Sequence, residues 1–540
     1  MKNISDIMRD SGISEYETYG KSMAKIDLHE IYSSGRKNGK LILMTAITPT
    51  PAGEGKTTTA IGLGQALRKL NLNAGIAIRE PSLGPVFGVK GGATGGGKST
   101  VEPADKINLI FTGDFPAISS AHNLLSAMIN NHISHGNELN IDPKNVAFPR
   151  AIDMDDRSLR SIIVGNGNKN SGTMMMDSFV ITAASEIMAI MALSLNYDDL
   201  KERLGNILVG YTYYGKPLFA RELNAQGAMA ALLVDALKPN IVQSVEGTPA
   251  IIHTGPFGNI AHGTSSIIGD VLGLKLFDYL VTEAGFGSDL GFEKFMDIFT
   301  RISNILPDSV VIVATLRALK YHGGIKDIDN ENTDSIAEGF KNLLRNVNIV
   351  RMFGIIPVVA INKHKNDTDN EIRLISKLLD ENGIDYAISD VYSKGGEGGI
   401  DLAKKVVENI KKNGNKKIKY AYDIDNDPEK KIINIAKKVY GAENVIFSND
   451  ARKDLVKIKK HGFSKFYVCM AKTQSSISDD PKRLNSPENF DIHINKINVN
   501  SGSGFIIPVA GNIMTMPGLP KKPAAENIDI DSDGTITGLH

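Results

Sequence analysis

The sequence predicts an α/β fold: a P-loop-containing, doubly wound, mostly parallel sheet with two smaller α/β domains packed beside it. Three observations predict it. Apolar runs "LILMTAI" (Leu41–Ile47), "NAGIAIR" (Asn73–Arg79), "SVVIVAT" (Ser309–Thr315) and "GIIPVVAIN" (Gly354–Asn362) are continuous rather than alternating, as in strands covered on both faces. Amphipathic stretches such as "TTTAIGLGQALRKL" and "DSIAEGFKNLLRNV" separate them, giving the βαβα rhythm of parallel sheets. Between the first run and the first amphipathic stretch lies "TPTPAGEGKTTT" (Thr48–Thr59), a glycine-rich turn at a strand's carboxyl end, where such sheets bind ligands.

At 540 residues the chain exceeds one ordinary domain. The expected division is a large nucleotide-binding domain over 1–346, with 93–117 a candidate contributor to a second domain over 347–478, and a small C-terminal domain over 479–540. After Asn413 the texture turns polar and charged, and from Ser478 onward loops rich in Pro, Gly and Asn dominate. Lys+Arg and Asp+Glu are both 61, so nothing predicts bulk attraction to nucleic acid or an anionic membrane. One cysteine, Cys469, excludes an intrachain disulfide, a CxxC pair and a thiolate zinc cluster, and reads as buried and inert at a strand end. Neither a signal-peptide run nor a long apolar span occurs, so a cytoplasmic protein is expected.

The strand–loop–helix setting of "TPTPAGEGKTTT" is that of a P-loop, G-x-x-x-x-G-K-[ST], with Thr50 in the first glycine's place. Residues Thr50, Pro51, Ala52, Gly53, Glu54, Gly55, Lys56 and Thr57 are the candidate ATP-binding loop. Backbone N–H groups and the helix N-terminus hold phosphate oxygens. Lys56 reaches the β and γ phosphates, and the Thr57 hydroxyl faces Mg²⁺.

The second feature is "REPSLGPVFGVKGGATGGGKS" (Arg79–Ser99), directly after the next strand. Its glycines, Gly91, Gly92, Gly95, Gly96 and Gly97, let backbone approach an anion. Arg79 leaves the strand where phosphate should lie, and its fork suits a carboxylate or acyl phosphate. The third is "NLIFTGDF", where Asp114 follows a short strand-like run in a Thr-Gly-Asp turn. His122, His132 and His135 lack partners at ligand spacing and read as core or solvated histidines rather than a metal site. "NKHKND" at Asn362 has Lys365 where a guanine-reading loop needs Asp, so ATP is preferred to GTP. "DIDSDGTITGLH" at Asp529 has His540, not Glu, at the twelfth position of an EF-hand-like loop, and reads as a polar turn.

Taken in order, "TPTPAGEGKTTT", "REPSLGP", "GVKGGATGGGK", "FTGDF", "SAHNLL", "EGTPAIIHTGPFGNIAHG", "VTEAGFGSDLG", "VATLRALKYHGG", "KGGEGGIDLA", "AKTQSSISDDP" and "MTMPGLPKKPAAENIDI" resemble the formate–tetrahydrofolate ligase family from Tyr32 to His540. The resemblance implies the reaction of formate, tetrahydrofolate and ATP to 10-formyltetrahydrofolate, ADP and phosphate through formyl phosphate. It implies that Lys56, Arg79 and Glu80 are catalytic, Arg79 holding formate and the acyl phosphate. Asp114, Phe286, His364 and Tyr392 are implied to lie at the folate pocket, with Thr57 on Mg²⁺. A homotetramer and activation by a monovalent cation, K⁺ or NH₄⁺, are usual in the family. The chain departs from the family at His364 and Tyr392, where Phe and Trp are usual. It also departs at Lys98, Ile110, Pro116 and Ser475, which stand for Tyr, His, His and Tyr. Two alternatives stay open: the same chemistry on a modified pterin acceptor, and a P-loop switch or carrier ATPase.

Overall fold

A computed structural model describes residues 2–33, 35–90, 93–168, 170–511 and 513–539; Gly91, Gly92 and His540, named above, lie outside them. The fold is mixed α/β around one twelve-stranded sheet. Its strands are β1 (Tyr16–Tyr19), β2 (Met23–Ile26), β3 (Lys40–Ala46), β4 (Ala74–Ile78), β5 (Gly95–Gly96), β6 (Ser99–Glu102), β7 (Asn240–Ser244), β8 (Pro249–Ile252), β9 (Tyr279–Glu283), β10 (Ser309–Ala314), β11 (Pro357–Asn362) and β12 (Asp385–Ser389). The main path runs β1-β2-β7-β8-β4-β9-β3-β10-β11-β12. From β8 through β12 every neighbouring pair is parallel, whereas β1, β2, β7 and the β5–β6 hairpin add antiparallel pairing at the other side. Strands on both sides of residue 346 belong to this sheet.

The continuous apolar runs are explained by burial on both faces. From one face of β3, Ile42, Met44 and Ala46 pack with Ala60, Leu63 and Leu67 of helix α1 (Lys56–Lys69) and with Leu402 and Val406 of a second helix. From the other, Leu41 and Leu43 join a larger core that includes Phe292, Leu343 and Val347. Each fully buried aliphatic side chain contributes about 1.5–3 kcal/mol of transfer free energy, and the polar residues buried in these strands, such as Thr282 and Ser309, bond their hydroxyls to Thr264 and Asn409.

Helix α1 begins at a left-handed Gly55, has no side-chain cap and no acid in its first turn, and ends with Arg68 and Lys69. The cations complement the C-terminal dipole, and no side chain caps the N-terminus. The run before Asp114 is a correction to the sequence reading. Ala104–Asn108 is a short helix, Phe111 takes a left-handed φ of 47°, and Asp114 is the first residue of helix α2 (Asp114–Ser134). Gly113, left-handed with φ 94°, starts that helix, a conformation that residues with a Cβ adopt only at a cost, and one that an apolar-run reading does not register.

A smaller sheet joins β13 (Asn444–Phe447), β14 (Tyr467–Val468), β15 (Asp491–Asn500) and β16 (Phe505–Ala510) in the order β13-β15-β16-β14. Cys469 follows β14, fully buried, its thiol directed at the Asn259 and Ala261 carbonyls. Asp529–Ile530 and Ile536–Thr537 form a two-stranded hairpin. No helix among the described residues is long and apolar enough to cross a membrane.

Candidate active site

The parallel strands deliver their functional residues at one edge. β3 ends in the Thr48–Gly55 loop, β4 in Arg79, β9 in Glu283, β11 in Asn362 and His364, and β12 in the turn carrying Tyr392. In the sheet, β9 lies between β3 and β4.

The loop is held from outside before it meets any ligand. Thr48 donates its N–H to Asn342 Oδ1 (3.2 Å), accepts from Asn342 Nδ2 at Oγ1 (2.9 Å), and accepts from His322 Nε2 at its carbonyl (2.8 Å). His322 Nδ1 accepts from the Asn485 N–H (3.1 Å), so the two bonds fix a neutral tautomer, and burial lowers the imidazole's pKa in the same sense. Glu54 accepts from the Thr50 N–H (2.7 Å) and hydroxyl (3.1 Å). Asn362 Nδ2 donates to the Glu54 carbonyl (3.0 Å), and a Cβ on Gly55 would fall 2.4 Å from the same Nδ2. Gly55 is thus required both by its φ of 68° and by this close approach.

Lys56 Nζ donates to the Phe286 carbonyl (2.9 Å), and the Thr57 hydroxyl donates to Glu283 Oε2 (2.9 Å). Thr57 and Glu283 present hard oxygen donors, the type Mg²⁺ takes, at the mouth of a bare helix N-terminus. Arg79 donates Nη1 to the Pro256 carbonyl (3.0 Å), while its buried Nε and Nη2 have no partner. Burial lowers the guanidinium's pKa and the charge of Glu283 opposes the shift; an arginine nonetheless keeps its proton in proteins. Gly285 lies under the fork, where a Cβ would come 2.8 Å from Nη1. Unsatisfied donors buried in a polar crevice are costly, and here they form an open fork suited to a carboxylate or acyl phosphate.

Glu80 turns elsewhere. It is 3% exposed and faces Asp114, which accepts from Lys25 Nζ (2.7 Å) and Asn240 Nδ2 (2.7 Å). Burial, then the charge of Asp114, pushes the Glu80 carboxyl well above its usual range, and burial raises Asp114 against the pull of Lys25. Two buried carboxyls share one ammonium, so one of them holds a proton.

The profile of the family described as formate–tetrahydrofolate ligase matches residues 1–540. The chain is 64% identical to formate–tetrahydrofolate ligase of Picrophilus torridus and 60% identical to that of Thermoplasma volcanium, over the full length of both partners. It is 50% identical to that of Symbiobacterium thermophilum over 98% of this chain and 95% of the relative. The chain belongs to the formate–tetrahydrofolate ligase family.

Against the family's motifs, the structure joins Lys56, Thr57, Arg79 and Phe286 through Glu283–Gly287, and joins His364 to the loop through Asn362, two residues earlier. The His364 N–H donates to Asp367 Oδ2 (2.7 Å), and its buried Nδ1 has no partner. Tyr392, 58% exposed, lies on the β5–β6 hairpin: its carbonyl accepts from Lys98 N–H (2.9 Å), and a Cβ on Gly96 would lie 3.1 Å from its ring. That hairpin reaches Thr58 of α1. Glu80 and Asp114 form a separate buried pair behind Arg79. Lys98, Ile110 and Pro116 are exposed. His122 stacks on Phe148, and His132 and His135 bond locally; among the described residues no His, Cys, Asp and Glu group is set to hold a metal.

A cavity of about 900 Å³ lies by the smaller sheet, lined by Phe257, Gln474, Asp479, His493 and Met514. None of the loop residues lines it. Glu283, Asn362 and Lys25 escaped the sequence reading. An acid ending an apolar strand, as in "YLVTE", was a usable signal for Glu283; Lys25, 89 residues from Asp114, carried none.

Proposed function

We propose that this protein joins formate to tetrahydrofolate at the expense of ATP, giving 10-formyltetrahydrofolate, ADP and phosphate. The observation that carries the reading is Arg79, whose buried Nε and Nη2 have no partner beside Glu283, a carboxylate bonded to Thr57. In this reading the sheet is a doubly wound P-loop fold and Thr50–Thr57 cradles the ATP phosphates. Formate is a carboxylate and a poor electrophile. Its oxygen attacks the γ-phosphorus, ADP leaves, and formyl phosphate carries a carbonyl with a good leaving group. The N10 amine of the folate adds to that carbonyl and phosphate departs. Arg79 holds the carboxylate and then the acyl phosphate, and Lys56 stabilises charge on the transferring phosphoryl group. Thr57, with Glu283 behind it, would hold Mg²⁺, which would neutralise phosphate charge. Phe286, His364 and Tyr392 border the acceptor site. Glu80, which lies against Asp114 and Lys25, is assigned no step in this reading.

By family likeness we further propose a cytoplasmic homotetramer activated by K⁺ or NH₄⁺. Light scattering on the purified chain and activity in K⁺ against Na⁺ buffers test these two points. The central test is ADP release in the presence of formate and tetrahydrofolate, singly and together. Release that needs both is expected; release without formate would favour a switch ATPase.

A second reading keeps the chemistry and changes the acceptor to a modified pterin. The unpartnered Nδ1 of His364, and tyrosine rather than tryptophan at 392, favour it, because an imidazole offers a polar edge where a phenyl ring offers only area. Comparing kcat/KM for tetrahydrofolate and tetrahydromethanopterin separates the two, a clear preference for tetrahydrofolate excluding the second.

A further inference from the structure

The segment Glu283–Gly287 touches Thr57, Lys56 and Arg79 in turn. Glu283 accepts from Thr57 (2.9 Å), the Phe286 carbonyl accepts from Lys56 Nζ (2.9 Å), and Gly285 underlies the Arg79 fork. Phe286 holds a left-handed φ of 57°, a costly conformation for a residue with a bulky side chain that persists only when its surroundings enforce it. Two features enforce it here. Lys56 holds its carbonyl, and its ring rests on Gly258 so closely that a Cβ there would fall 2.1 Å from Cε2. The Gly258 carbonyl is itself fixed by the fully buried Lys294 (2.8 Å).

We propose that Glu283–Gly287 couples the nucleotide and acceptor sites, so that Mg·ATP tightens binding of the reduced pterin. The proposal rests on the assignment of Phe286 to the acceptor pocket. An ammonium has three donors, so Lys56 can keep the Phe286 carbonyl while it takes phosphate oxygens. Phosphate then immobilises a side chain with many rotamers of its own. The acceptor next meets a ring whose anchor is already ordered, and the entropy of ordering it is not lost a second time. By linkage the acceptor must tighten nucleotide binding by the same factor.

Isothermal titration of the full-length protein tests this. Tetrahydrofolate is titrated with and without saturating Mg²⁺ and the non-hydrolysable β,γ-imido analogue of ATP, and the analogue with and without tetrahydrofolate. We expect tightening of about fivefold or more, equal in both directions. Phe286→Leu is expected to weaken tetrahydrofolate binding and to bring the coupling below about twofold. A wild-type coupling within twofold of unity, or coupling retained in Phe286→Leu, overturns the inference while the pocket assignment stands on the weakened acceptor. Unchanged tetrahydrofolate affinity in Phe286→Leu overturns the assignment, and the inference with it.

Discussion

The Thr57 hydroxyl donates to Glu283 Oε2 at 2.9 Å, joining the first turn of α1 to the end of the neighbouring strand β9. The bond turns the hydroxyl's proton toward the carboxylate and leaves its lone pairs free for a cation. Glu283→Gln keeps the shape and removes the charge. We expect the Mg²⁺ concentration giving half-maximal ATP binding to rise about 10–100-fold, as for other residues behind a metal ligand. Metal-free nucleotide binding is expected to hold or improve. Titrating Mg²⁺ at fixed ATP checks it, and an unshifted midpoint removes Glu283 from the metal's surroundings.

Arg79 leaves β4, two strands from the loop, so its role separates from nucleotide binding. Arg79→Ala is expected to lower kcat/KM for formate by about 10²–10³-fold or more, with ATP affinity within about threefold of wild type. Arg79→Lys should rescue little, since an ammonium does not reproduce the fork. Equal loss of ATP binding would show that the residue serves the loop instead.

Lys25 and Asp114 form an ion pair with both side chains buried, at 0% and 3% exposure. Removing one partner strands the other charge, at a cost of about 3–5 kcal/mol. Lys25→Met should therefore lower the thermal midpoint of the full chain markedly. Lys25→Met with Asp114→Asn should recover much of the loss, because no charge is left uncompensated. Equal midpoints for the single and double variants would mean that packing, not charge, sets the effect.

Glu186, 8% exposed, accepts from the Gly502 N–H (2.7 Å) and docks the β15–β16 turn on its own helix. Burial pushes its carboxyl from 4.5 up to about 8, against the lowering from Gly502 and Ser503. Between those values the folded state binds more protons than the unfolded chain, so stability is complete below the lower value and declines as pH rises toward about 8. We expect the thermal midpoint to fall between pH 5.5 and pH 8, and Glu186→Gln to flatten that decline. Parallel slopes in the two proteins would assign the pH dependence to other groups.

Much of this candidate site was legible in the chain. The strand–loop–helix unit around Gly55, Arg79 at a strand end and the continuous apolar strands are local patterns set by backbone conformation and by burial on both faces. The polar neighbours of the loop were not legible. Asn342, His322 and Asn485 all converge on Thr48 or on one another from distant segments, and an isolated Asn or His in a helix has no periodicity that marks it. Glu80 shows the limit most clearly. Its place beside Arg79 in sequence suggests a shared task, yet successive residues at the end of an extended strand point to opposite sides, and Glu80 lies against Asp114 and Lys25 instead.

The sequence by itself determined the mixed α/β architecture with its mostly parallel sheet, the glycine-rich turn after β3, the arginine that ends β4 and the family to which the chain belongs, because each is written in short motifs or in the period of hydrophobicity. Only the tertiary structure decided that β9 lies between β3 and β4, that Glu283 therefore meets Thr57, and that Lys56 holds Phe286. Strand order depends on which helices cover which faces. That balance is struck among residues hundreds of positions apart, and no local pattern carries it.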